Sequence, residues 1–475
     1  MHKVVDIITS SIVVFLIILA VVMMRFYTIT NINLFINIEE CDPDWEAPKY
    51  YKNGDAENRI EECALYAGDN LVYSQHINGK YRYIYDAEDN EYDETEYNIV
   101  RHAGATYALM DLYLELGNEK YLAAGLAGLD YLSAHTYMIN YDDWAIYYNS
   151  KMKVGTVALT ILAMVRYWEA TKSTHYNIYV EKYANFIVSQ QRSDGAYAGI
   201  YGSKEEKLYY SSEALFALAL AYKVHEDRAY RRSVEDAIDF YYSSDYEYDN
   251  SAFIPWASSG CAKWYELTGD QIYLDFCFEM TDIQIDRQYL VEEIDELGNP
   301  LYGYILGPTV NTGVYLEGIG DALRVAKDVL DSERAQKYHN CLKAGVEWVL
   351  TLQYRKESQL TCPNRGFGGF HRGFEVEDAY LIRIDYTQHA ISALLRIIRN
   401  FEDDEIDSIR IHDGIVDFKP EKIEINKNFT WLYLLIIFIT LFAGITLFLI
   451  LISKKLKVIE ILNPENNPIN KKKFK

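Results

Sequence analysis

Positive charge is what this chain has too little of. Lysine and arginine total 46 against 70 aspartates and glutamates, a formal net charge of −24 over 475 residues. Nucleic-acid phosphates must be neutralised by a surplus of Lys and Arg, so the balance argues against a nucleic-acid partner. None of the six cysteines neighbours a histidine in a ligand spacing, which argues against a zinc site. No phosphate-cradling glycine loop and no EF-hand pattern occurs, so the sequence points to no cofactor and no metal.

Long apolar runs are confined to the two ends. Residues 7–27 carry no charge before Arg25, and residues 429–452 carry none at all. Each meets the length of about 20 residues needed to cross a bilayer as a helix. A cleaved signal peptide is the alternative for the first run, but the run is long and no small-x-small cleavage site follows it. The tail after Ile452 holds Lys454, Lys455, Lys457, Lys471, Lys472, Lys473 and Lys475 against Glu460 and Glu465. Positive loops stay inside, so both termini are expected in the cytoplasm and the acidic middle outside. The expected order is a cytoplasmic stub (1–6), a transmembrane helix (7–27), a linker (28–53), a folded domain (54–402), a juxtamembrane linker (403–428), a second transmembrane helix (429–452) and a basic tail (453–475). The chain's expected partners thus include a lipid bilayer, through two spans, and its expected place is the cell membrane. All six cysteines (Cys41, Cys63, Cys261, Cys277, Cys341 and Cys362) fall between the spans. In an oxidising compartment, pairing of sequence neighbours is the simplest arrangement, with isolated core cysteines the alternative.

The middle section is organised as a loose repeat of helical hairpins. Apolar positions at helical period place twelve helices near 54–76, 98–116, 119–134, 155–172, 174–191, 211–224, 226–243, 252–268, 270–286, 311–330, 332–354 and 384–401. Tight polar turns such as Gly117-Asn118-Glu119 and Gly269-Asp270-Gln271 end one helix and start the next. The first and last helices lack a sequence-adjacent partner and are expected to pair, closing a circle. The first helix of each hairpin is apolar nearly all round, as in Ala214 to Leu220, which suits an inner ring; the second carries more charge, which suits an outer one. The expected fold is all-α, an (α/α)6 toroid, with an open α-solenoid as the alternative.

Connections within a hairpin are short, and those between hairpins are long: 77–97, 135–154, 192–210, 244–251, 287–310 and 355–383. All long loops therefore share one rim and lead into inner-helix starts. Polar residues gather at those starts: Asn98, Arg101 and His102; Lys153; Tyr210, Ser211 and Glu213; Trp256 and Ser258; Asn311 and Glu317; and Arg383, Asp385, Gln388 and His389. Each alone reads as a cap or loop anchor, but six starts converging on one funnel point to a binding site. Many of the 43 tyrosines lie in or beside the rim loops, where rings with a polar edge suit sugar faces.

With Arg101-His102-Ala103-Gly104, the strip from Gln190 to Tyr197, Tyr210 with Glu213-Ala214-Leu215, Tyr315-Leu316-Glu317-Gly318, Gly368-Gly369-Phe370 and the run from Arg383 to Ala390, the chain resembles the six-hairpin glycosidase superfamily over residues 54–402. That superfamily includes glycoside hydrolases, polysaccharide lyases, sugar 2-epimerases and the helical domain of glucuronyl C5-epimerases, so the resemblance implies the fold more firmly than the reaction. The terpene cyclase toroids differ: their Asp-x-Asp-Asp motif has no match at Asp142-Asp143 or Asp403-Asp404.

The leading expectation is a glycoside hydrolase-like enzyme acting on a glycan, with Glu213, Glu317 and Asp385 as candidate carboxyls, Asp385 as base and Glu317 as acid. Arg101 and Arg383 suit a carboxylate or phosphate on the sugar, with Asn98, Tyr210, Trp256 and Gln388 completing the binding set. The alternative is a sugar epimerase, whose two proton-transferring groups would be His102 and His389. A non-catalytic toroid that binds glycans or proteins is the third reading.

Overall fold

The computed structural model describes residues 58–412, except 90, 244, 245, 247, 297, 356–363 and 375. Both apolar runs, the lysine tail, Cys41 and Cys362 lie outside the described residues. Among the described residues no helix is long and apolar enough to cross a membrane.

Twelve long helices and a short thirteenth account for most of the described chain. They are α1 (Arg59–Tyr73), α2 (Ile99–Leu116), α3 (Glu119–Ser133), α4 (Val154–Thr171), α5 (Asn177–Ser189), α6 (Leu208–His225), α7 (Arg228–Tyr241), α8 (Ile254–Thr268), α9 (Gln271–Ile285), α10 (Thr312–Asp328), α11 (Ser332–Thr351), α12 (Ile384–Asn400) and α13 (Asp403–Asp407). The even-numbered helices α2 to α12 each pack on the next, and α12 packs back on α2, so they form a closed inner ring. Helices α3, α5, α7, α9 and α11 lie outside the inner helix that precedes each of them, and α1 covers α12. The first and last long helices do pair, as their lack of a sequence-adjacent partner predicts.

Local chemistry sets these boundaries. The Asn98 side chain accepts from the backbone N–H groups of Val100 and Arg101 at the start of α2. Gly117 and Gly269 end α2 and α8 at φ 69° and 75°, the left-handed geometry that glycine adopts without a side-chain clash. From Ser211 to Ala221 every residue of α6 is buried, which only an inner position between two neighbours and an outer helix allows.

Three features depart from the sequence reading. The rim loops hold short sheets: β1 (Ile84–Asp86) pairs with β2 (Glu91–Asp93) and with β8 (Leu381–Arg383); β4 (Trp144–Tyr148) lies between β3 (Thr136–Met138) and β5 (Lys151–Met152); and β6 (Glu293–Ile294) pairs with β7 (Pro300–Leu301). Segment 403–412, expected as linker, packs on the toroid: Ile406 and Ile409 are buried, and Arg410 pairs with Glu347 at 2.9 Å. Cys63, Cys261, Cys277 and Cys341 are free and buried, so neighbour pairing of Cys261 with Cys277 does not occur; both fill apolar positions between α8 and α9.

At the end of the inner ring opposite the loops, all six inner helices contribute charge. Asp111 and Glu115, Arg166 and Glu169, Lys223, Lys263 and Glu266, Asp321 and Arg324, and Arg396 and Arg399 are linked by ion pairs. Cations outnumber carboxylates six to five in this annulus, which suits helix C-termini, where backbone carbonyls concentrate negative potential. Asp111 is the hub. It is fully buried, accepts from Arg399 at 3.0 Å through each oxygen, and lies 2.8 Å from Arg166 and 3.6 Å from Arg396. Burial pushes its pKa up, but the three guanidiniums outweigh that and hold it well below the usual carboxylate range.

Replacing Asp111 with Asn should leave three buried cations undercompensated and cost about 3–5 kcal/mol in urea unfolding. The acid limb follows from Glu169, for which burial is likewise outweighed by Arg166 and Lys223, giving a pKa lowered from 4.5 to about 2. A depressed folded-state value adds stability above the unfolded value, so this contribution should disappear as pH falls from about 4.5 through 2, visible as a falling Tm.

Candidate active site

At the loop rim the inner-helix starts bring a compact set of charged and aromatic side chains together. Strand β8 ends at Arg383, which serves as the extended N-cap of α12, and its pairing with β1 carries Arg383 and Asp385 to the side of α2 that bears Arg101. Two glycines make the space. A Cβ on Gly155 at the start of α4 would lie 2.3 Å from Tyr210 Cδ1 and 2.4 Å from Glu213 Oε2. A Cβ on Gly104 would lie 2.8 Å from Gln388 Oε1. All three separations are shorter than real side chains tolerate, so the placement of Glu213, Tyr210 and Gln388 requires glycine opposite them.

The three carboxyls sit in different environments. Asp385 is buried and accepts from Arg383 Nε at 3.0 Å and Nη2 at 2.5 Å, with Arg101 Nε at 3.3 Å. Burial acts to raise its pKa, and Arg101 and Arg383 more than cancel that, so it stays ionised. Glu213 is also buried, but its Oε2 has no hydrogen-bond partner. Burial, aided by Glu317 and only partly offset by Arg101, pushes its pKa up to about 8. Glu317 is 1% exposed, and its Oε1 lies 2.6 Å from Nδ1 of His389, 72 residues away in sequence. Burial raises its pKa despite His389 and Arg396.

Around these groups stand the remaining members. Gln388 Nε2 lies 3.2 Å from His389 Nδ1, and the Trp256 ring is centred 6.2 Å from that of His389. Tyr210 is half-buried, its phenol raised to about 12 by burial and by Glu213. Arg101 is 32% exposed at its side chain and commits its Nε to Asp385. With Glu317 on Nδ1, His389 can exchange a proton at Nε2. Glu213 can donate one at neutral pH, and the Arg101–Asp385–Arg383 cluster holds a fixed excess of positive charge.

Not every residue singled out in the sequence joins this group. His102 points the other way, toward α3: its Nε2 meets the Gly128 carbonyl at 3.1 Å, its Nδ1 meets the Tyr97 hydroxyl at 2.9 Å, and it stacks on Tyr131. Burial lowers its pKa to about 3, so it is a neutral core histidine and is not paired with His389 across a funnel. Asn98 acts as the α2 cap. Tyr107, which the sequence reading missed, is fully buried one and a half turns below Arg101, with its ring 6.4 Å from that of Trp256. Its hydroxyl on an inner-helix face was the available signal. Among the described residues no group of three His, Cys, Asp or Glu side chains could hold a metal ion.

No family model and no curated protein matches the chain in sequence. Solved structures do match it in fold. The α-1,6-mannanase GH76A from Salegentibacter sp. HEL1_6 superposes with a TM-score of 0.54 at 11% identity, over 72% of this chain and 100% of that one. Cellobiose 2-epimerase from Bacillus thermoamylovorans B4167 gives 0.53 at 14% identity, over 71% and 99%. A D-mannose isomerase gives 0.53 at 13% identity, over 75% and 100%. At such identities the likeness speaks to the fold alone: this chain shares the (α/α)6 toroid fold of these structures.

Proposed function

We propose that the chain is a carbohydrate-active enzyme that moves a proton at a sugar carbon, as an epimerase or isomerase does, with His389 as base and Glu213 as acid. The observation that carries this reading is the Glu317–His389 contact at 2.6 Å, in a site that also holds the Arg101–Asp385–Arg383 cluster with its one surplus positive charge. Glu317 orients the imidazole and compensates the charge it acquires with a proton. Arg101 and Arg383 face one ionised carboxylate, Asp385, while Glu213 is neutral below about 8. A proton leaving a carbon beside a carbonyl builds up negative oxygen, which surplus guanidinium stabilises by a few kcal/mol per neighbouring charge. A glycosidic transition state is cationic and is opposed by the same field. Asp385 is also a poor base for activating water, because Arg383 binds both its oxygens.

Hydrolysis is the second reading, favoured by one observation: a protonated Glu213 and an ionised Asp385 are the two carboxyl states it needs. The mannanase neighbour is inactive when two adjacent aspartates are replaced. The adjacent aspartates described here do not contact Glu213, His389 or Asp385: Asp142 and Asp143 bond Lys182 and Asn140, and Asp403 and Asp404 are exposed in the first turn of α13. In this proposal the toroid stands outside the cell between two membrane spans, supported by the apolar runs 7–27 and 429–452 and the lysine tail.

Incubation of the full chain in D2O with mannose, cellobiose and a panel of mannose- and uronate-containing oligosaccharides separates the readings. Deuterium at a sugar carbon with a new epimer or isomer supports proton transfer, and His389→Gln should lower that rate by about 100-fold or more. New reducing ends without deuterium establish hydrolysis instead, and neither outcome leaves a binding protein. The rate should fall as pH rises through about 8, where Glu213 loses its proton, and Glu213→Gln, which has no acidic proton to give, should abolish the activity. The same variant should be more stable at pH 7. A folded-state value raised above the unfolded one gives stability that is full below the unfolded value and lost as pH rises through about 8, so at pH 7 the wild type has lost about 3 kcal/mol that Gln does not lose. Protease added to intact cells should cut within 287–310 and spare the lysine tail; cleavage of the tail with an intact 287–310 would reverse the topology.

A further inference from the structure

Behind the dyad, on the side away from the rim, three buried polar atoms lack hydrogen-bond partners: Glu317 Oε2, Tyr107 Oη and Arg396 Nε. They come from α10, α2 and α12, and their residues are 1%, 0% and 1% exposed. Each residue is pinned by its other contacts. Glu317 Oε1 is held by His389 at 2.6 Å, and the Arg396 Nη atoms reach Asp321 at 3.0 Å and the Ser392 carbonyl at 3.4 Å. Tyr107 lies against Trp256, with the Arg166 guanidinium 6.0 Å above its ring. The three groups also feel one another electrostatically, Arg396 favouring charge on Glu317 and Glu317 opposing charge on Tyr107.

Arg396 ties the three together, its stem packed on Gly320, one turn after Glu317, and its guanidinium 3.6 Å from Asp111, one turn after Tyr107. A buried acceptor, a donor and a hydroxyl left unpaired match the sites where proteins keep an internal water, which needs two to four polar partners. We infer that one buried water accepts from Arg396 Nε–H and Tyr107 O–H and donates to Glu317 Oε2, making Tyr107 and Arg396 positioning residues for the Glu317–His389 dyad. This rests on the catalytic reading of that dyad only for its purpose; the water and its effect on His389 belong to the free protein. The bridge favours the carboxylate form of Glu317, and the carboxylate in turn favours a proton on His389. Other charged and titratable groups that act on the pair are Asp385 on α12, Glu213 on α6 and Asp321 on α10, while Asp111 on α2 and Arg166 on α4 act on Tyr107. Tyr107→Phe leaves all of them in place.

The test is a histidine titration of the full chain, selectively 13C-labelled at histidine, with the His389 signal assigned by its loss in His389→Asn. Tyr107→Phe should lower the His389 midpoint by roughly half a pH unit or more, because Glu317 becomes harder to ionise. Ser259→Ala, which removes a buried unpartnered hydroxyl from α8, serves as the control and should leave the midpoint unmoved. A Tyr107→Phe midpoint equal to the wild type, or displaced no further than in Ser259→Ala, overturns the inference. Should Tyr107→Phe fail to fold, a high-resolution crystal structure of the wild type decides it. An ordered water within hydrogen-bond distance of all three atoms supports the bridge, and its absence there sinks it.

Discussion

The Asp111 carboxylate, gripped by three guanidiniums from two other inner helices, is the contact on which the ring depends. An inner helix of a toroid has apolar neighbours on both flanks and an outer helix behind it, but its axial face meets only the axial faces of the other five. Where those faces are charged, each charge needs an opposite partner on its own or a neighbouring helix, since an unpaired buried charge is costly. Asp111 links α2 to α4 and α12; from α4 the pair of Glu169 with Lys223 reaches α6, and from α12 the chain of opposite signs runs through Arg396, Asp321, Arg324 and Glu266 to Lys263 on α8. A buried pair of this kind adds little net stability compared with a well-packed apolar one, yet losing one partner is severe. The annulus therefore fixes which helices can be neighbours more than it adds to the free energy of folding.

Closure at one end leaves function to the other. The same six helices carry a polar layer at their starts and another about three turns below, roughly 15 Å along the axis. Every charged group of the lower layer is in an ion pair, whereas in the upper one the Oε2 atoms of Glu213 and Glu317 have no hydrogen-bond partner in the protein and the ion pair of Arg101 is made through its Nε. Incomplete satisfaction of buried polar groups lowers stability and is tolerated where the groups must exchange protons or meet a ligand.

Much of the architecture was legible before any coordinates. Helix period, the Gly117 and Gly269 turns and the contrast between short and long connections located all twelve long helices and the rim. The candidate site was only half legible. His102 and His389 look alike in sequence, each a histidine in the first turns of an inner helix. The rotation of α2 about its own axis sends His102 outward to the Gly128 carbonyl, while α12 presents His389 to Glu317. Asp385 reads as an available base until β8, pairing with a strand 297 residues earlier, is seen to bring Arg383 and Arg101 onto it.

What this sequence determined by itself was therefore everything that depends on neighbours along the chain: periodicity, caps, turns and the inner or outer character of each helix. These are set within a few residues, by backbone hydrogen bonding and by how much of each helix face must leave water. Only the tertiary structure decided which acidic groups keep their protons. A carboxyl's state depends on burial and on charges within a few ångströms, and here the decisive charges arrive from helices up to 284 residues distant, as Arg101 does for Asp385. Three carboxyls of similar sequence context thus became an ionised anchor, a neutral acid and the partner of a histidine.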